Sequence, residues 1–114
     1  MKFAFQTSDG KRVVCDTDTD PQLYDAPHNP PNTGTRYTRG TDLYAHAAKS
    51  GTVFFYAYSW SMWQGEESTA ELWTQAQVEE FIVERMAGPE HARPSSSELE
   101  RLAEYGINVL DETA

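Results

Sequence analysis

Residues 52–63 read TVFFYAYSWSMW and hold six of the chain's fourteen aromatic residues. An unbroken run this rich in aromatic and β-branched side chains suits a strand buried on at least one face and central in its sheet. Working back from it, residues 41–48 (TDLYAHAA) form a second strand. Between the two lies Lys49-Ser50-Gly51, a three-residue connection with glycine at the left-handed position of a bulged hairpin.

Pairing Ala48 with Thr52 sorts the hairpin into two faces, because side chains alternate along a strand. One face collects Leu43, Ala45, Ala47, Val53, Phe55, Ala57 and Ser59. Its small residues let a helix approach closely. The other carries Asp42, Tyr44, His46, Phe54, Tyr56, Tyr58, Trp60 and Met62, a stripe of large rings, most with polar tips. A contiguous patch of that size needs a cover, either the chain's own proline-rich segment or a partner.

Upstream, residues 2–6 (KFAFQ) and 12–16 (RVVCD) flank Asp9-Gly10, which predicts a hairpin with a type I′ turn. Residues 17–40 contain four of the six prolines and no periodicity, and read as a long proline-rich surface loop anchored by Leu23, Tyr24 and Tyr37. Downstream, residues 69–73 suit one more short strand. Thr74-x-x-Gln77 and Ser95-x-x-Glu98 are capping boxes opening helices over about 75–87 and 96–105, and Gly106 with Ile107 suits the C-terminal stop of the second. The fold expected is a single α+β domain over residues 1–114. It has an antiparallel sheet of four to five strands, from hairpins at about 2–16 and 41–63, with the two C-terminal helices packed on one sheet face.

The chain is long enough to bury one ordinary core. Its formal charge of −9 lies entirely beyond Gln64, where twelve acidic residues face only Arg85, Arg93 and Arg101. Direct binding to nucleic acid or to an anionic membrane is disfavoured, since either requires a basic footprint. A basic protein surface would be attracted. The N-terminal MKFAFQTSDG is neither a signal peptide nor a membrane span, and the lone Cys15 excludes an internal disulfide, so a cytoplasmic location is expected.

The most motif-like run is Val13-Val14-Cys15-Asp16-Thr17-Asp18-Thr19-Asp20. As a phosphoaspartyl site it lacks the parallel strand and the rest of such a domain. As a calcium loop it has Pro21 where glycine makes the sharp turn and Pro27 where glutamate closes the site. His28, His46 and His91 have no short metal spacing. Cys15 and His46 form a nucleophile and base only if their strands are neighbours. No residue is therefore assigned as catalytic or metal-ligating, and no cofactor is expected. Arg36 and Arg39 lead into the stripe and can hold an anion there or neutralise Asp25 and Asp42.

Two function classes follow. The first is a small acidic, non-enzymatic interaction or regulatory protein, engaging a partner through its acidic helical half or its aromatic sheet face. A homodimer through an unpaired sheet edge belongs to the same class. The second is a ligand-binding or enzymatic domain with a pocket between the tyrosine-rich face and the 17–40 loop. The contact residues common to both readings are Arg36, Arg39, Tyr44, His46, Tyr56, Tyr58, Trp60 and Trp63. The absence of a catalytic motif favours the first.

Overall fold

Two hairpin turns of one kind organise the strands. The computed structural model describes residues 1–7, 9–26, 39–61, 65, 67–88 and 92–107, Arg39 by its backbone alone. Strands β1 (Lys2–Gln6) and β2 (Arg12–Asp16) pair with Phe3 opposite Cys15 and Phe5 opposite Val13. The Thr7 N–H donates to the Lys11 carbonyl at 2.8 Å, and the Gly10 N–H to the Thr7 carbonyl at 3.0 Å. That is a three-residue loop, one residue wider than the type I′ turn expected from Asp9-Gly10. The cause is the Asp9 carboxylate, which accepts both the Thr7 hydroxyl and the Lys11 N–H and so holds the wider turn. Gly10 supplies the positive φ of 83°.

The same geometry recurs between β4 (Arg39–Ala47) and β5 (Val53–Ser61). There the Ala48 N–H reaches the Thr52 carbonyl at 2.9 Å, and Gly51 has φ 92°. Ala47 faces Val53 and Leu43 faces Ala57, the register expected from Ala48 and Thr52. With β3 (Gln22–Tyr24) and β6 (Thr69–Trp73), these strands form a four-stranded antiparallel sheet whose spatial order, β3-β4-β5-β6, is also the chain order. The chain thus has an α+β fold with antiparallel sheets of two and four strands and two helices.

β3 lies inside the stretch read as a loop. Three residues are too few to show a period, and its identity comes from pairing: the Ala45 N–H donates to the Pro21 carbonyl at 3.1 Å, and Gln22 lies opposite Tyr44. Proline is tolerated at this place because it precedes the first residue of an edge strand, where its carbonyl can still accept and the missing N–H costs a single terminal ladder bond. Residues 27–38 of the same stretch lie outside the described residues.

Helices α1 (Gln75–Met86) and α2 (Ser96–Glu104) both begin with complete capping boxes, at Thr74 with Gln77 and at Ser95 with Glu98. α2 ends in a Schellman motif: the Gly106 N–H bonds the Ala103 carbonyl and the Ile107 N–H the Leu102 carbonyl, each at 3.0 Å. The positive φ of Gly106 turns the chain back, and Ile107 enters the core.

The sheet is the middle of three layers. On its small-residue face, Leu43, Ala45, Phe55 and Ala57 meet Val78, Phe81 and Ile82 of α1, Leu102 of α2 and Ile107. Leu23, Tyr24 and Ala26 join the same core, so these residues of the proline-rich stretch pack on the helix side, while Asp20 and Gln22 bond His46, Tyr56 and Tyr44 on the other. On the opposite face lies the first hairpin. Phe5, Val13 and Cys15 pack on Tyr44, Tyr56, Tyr58 and Leu72, while Val14 on the outer side is exposed. No helix among the described residues is long and apolar enough to cross a membrane.

Candidate functional site

The cover of the ring stripe decides what the expected site residues can do. Phe3 lies 5.6 Å from Tyr58 and Phe5 lies 5.8 Å from Tyr56, centroid to centroid, and Tyr44 stacks on Tyr56 at 5.3 Å with the rings 14° from parallel. The first hairpin therefore occupies the space in front of the stripe. Tyr56 is wholly buried and Tyr44 nearly so. Burial, reinforced by the Asp42 charge, pushes the Tyr44 phenol up to about 12. Burial together with a hydrogen bond to Asp20 pushes Tyr56 higher still. Trp60 ends the stripe: its indole lies across Gly40, directly opposite in register, and packs against residues of the larger core cluster. Arg36, Trp63 and the side chain of Arg39 lie outside the described residues.

His46 lies in a polar cluster at the edge of the stripe. Continuing the Gln22–Tyr44 pairing by two residues sets Asp20 opposite His46. The His46 Nδ1–H donates to Asp20 Oδ1 at 2.9 Å. The Tyr56 hydroxyl and the Asp16 N–H donate to Asp20 Oδ2 at 2.8 and 2.9 Å. Cys15, on the adjoining hairpin strand, completes the group: its sulfur, a carboxylate oxygen of Asp20 and an imidazole nitrogen of His46 all lie within 4.8 Å of one another. Sequence reasoning had singled out both the run containing Asp20 and the pairing of Cys15 with His46. It missed their conjunction, because that depends on β3 joining β4 and on the hairpin closing over them.

Thiol, imidazole and carboxylate are the parts of a cysteine nucleophile with its base and orienting acid. The environment is wrong for that chemistry. Cys15 is fully buried, and burial, with the charge of Asp20, pushes its thiol up to about 12. An attacking cysteine needs the opposite shift and access to solvent.

A second constellation occupies the acidic half of the chain. Between β6 and the outer side of α1 runs an open groove lined by Glu71, Trp73, Gln77, Glu80, Phe81 and Glu84. Trp73 meets Phe81 edge-on at 5.4 Å, and Arg85 lies 4.4 Å over the Phe81 ring. Of the six helical glutamates, Glu79 accepts from Gln75, and Glu98 spends both oxygens on the backbone N–H groups of Ser95 and Asp25. Glu80, Glu84, Glu100 and Glu104 are exposed and, among the described residues, form no ion pair. Of the three arginines of this half, Arg85 lies over the Phe81 ring at the groove itself, Arg93 donates to the Gly88 carbonyl and Arg101 to the Gln22 carbonyl.

No protein-family model matches the chain, and neither a curated protein nor a solved structure matches it.

Proposed function

We propose that this chain is a small acidic interaction protein that engages a lysine- or arginine-rich segment of a partner protein through the groove between β6 and α1. The observation that supports this reading is an acidic rim around an aromatic floor: Glu71, Glu80 and Glu84 border Trp73 and Phe81. Carboxylates attract a cationic head from a distance, and ring faces then take it up by cation–π contact, a preference Arg85 already displays on Phe81. Arg85 offsets only part of the charge of Glu71, Glu80 and Glu84, and a net negative rim is left to attract a partner.

The test is binding of a fluorescently labelled lysine- and arginine-rich peptide at low and physiological salt. Binding weakened by salt, and weakened about tenfold by the double charge reversal Glu80→Lys with Glu84→Lys, is the expected result. Equal loss from Glu100→Lys with Glu104→Lys on α2 would replace the groove with diffuse attraction. Absence of binding at low salt would remove the reading.

A further inference from the structure

We infer that Cys15, Asp20 and His46 form a binding site for a divalent transition-metal ion of the zinc class, which pins the N-terminal hairpin to the four-stranded sheet. Three observations carry this, none of which involves the acidic groove.

The first is the donor set. A thiol sulfur, an imidazole nitrogen and a carboxylate oxygen are the three side-chain ligands zinc uses, and they suit its borderline softness better than that of calcium or magnesium, which take oxygens. The second is spacing. The three donors lie within 4.8 Å of one another in the metal-free arrangement, and His46 Nδ1 and Asp20 Oδ1 are 2.9 Å apart. In a tetrahedral zinc site, ligand atoms about 2.0–2.3 Å from the ion stand about 3.3–3.7 Å from each other. An ion replacing the proton shared by His46 and Asp20 needs only side-chain adjustments on that scale, with Cys15 bound as thiolate and its proton passed to solvent.

The third is the outer shell. Ligating carboxylates are themselves held by hydrogen bonds, which fix the oxygen offered to the metal. Asp20 Oδ2 already accepts from the Tyr56 hydroxyl and the Asp16 N–H at 2.8 and 2.9 Å, leaving Oδ1 directed at His46. This support is built from three segments: the end of β2, the turn after it and the central strand β5. Three protein ligands leave a fourth position, which a solvent molecule fills. Cys15 and Asp20 come from the hairpin and its exit turn, and His46 from β4, so the ion cross-links two layers already joined by side-chain packing and by the hydrogen bonds of Asp20.

Cobalt(II), which occupies zinc sites and reports its ligands, is the probe. Titration of the metal-free protein should saturate at one ion per chain, with a sulfur-to-cobalt charge-transfer band in the near ultraviolet and strong tetrahedral ligand-field bands in the visible. Zinc should displace it and raise Tm. Cys15→Ser should abolish the charge-transfer band, His46→Gln should weaken binding at least about tenfold, and His91→Ala should change neither. If the unmodified protein binds cobalt without a thiolate band, or with only weak octahedral absorption, the proposal is overturned, whatever the variants do. It is also overturned if zinc leaves Tm unchanged.

Discussion

The two faces of the central sheet are held by different physics. Toward the helices, the contacts of Leu43, Ala45, Phe55 and Ala57 with Val78, Ile82, Leu102 and Ile107 are non-directional, and stabilisation scales with the area removed from water, at about 25 cal/mol per Å². Toward the hairpin, Tyr44, Tyr56 and Cys15 are as deeply buried, but the Tyr56 hydroxyl and the Cys15 thiol converge on Asp20 and His46, and the Tyr44 hydroxyl accepts from Gln22. A buried polar group is tolerated only while its hydrogen bonds are made. The helix side should therefore suffer chiefly from lost volume. The hairpin side should respond in addition to lost hydrogen bonds and, more strongly, to pH.

Alkali should expose that contrast most strongly. Cys15 and Tyr44 are each pushed up to about 12, and Tyr56 is raised further. In the unfolded chain these groups lose protons at their ordinary values, so the folded state keeps their full contribution below those values and loses it as pH rises toward about 12. Each pK unit is worth about 1.4 kcal/mol, and the three act together, so the loss should exceed that of any single substitution. Denaturant midpoints of the metal-free protein between pH 8 and 12 measure it. A flat profile would mean that the hairpin face is wetter than its geometry indicates.

Next in size is the volume effect on the other face. Leu102 is fully buried under α2, and Leu102→Ala should cost about 2–5 kcal/mol in urea unfolding, with little change between pH 6 and 10. The smallest of the three is Tyr56→Phe, which leaves Asp20 Oδ2 with one donor and should cost about 1–3 kcal/mol. It should also flatten the alkaline profile, a change that Leu102→Ala should not make. If Tyr56→Phe proves the costlier of the two, the division between the faces is wrong.

What the sequence disclosed follows the range of its signals. Both capping boxes, the Gly106 stop, the Gly51 turn and the two faces of the β4–β5 hairpin are local patterns, readable because three or four neighbouring residues determine them. β3 was hidden because a three-residue strand has no period and is defined by its partner β4. The cover of the stripe was hidden because nothing in residues 2–16 states which surface the hairpin will meet. The Cys15–Asp20–His46 cluster required both of those answers at once. Phe3 and Phe5 stand over Tyr58 and Tyr56, on the face expected to border a pocket, and residues 27–38 of the loop expected to form its other wall lie outside the described residues.

The strand order of the larger sheet also bears on how the molecule assembles. Each strand lies beside its predecessor in the chain, so the meander forms without crossovers, and its β4–β5 pair closes over a three-residue loop. Short closures of this kind are entropically cheap and fast. The β3–β4 pairing already sets Asp20 opposite His46, whereas bringing Cys15 to them requires the first hairpin to find the finished sheet. Their meeting is therefore a marker of the final docking event, and a probe on Cys15 would time the end of folding while leaving its beginning silent.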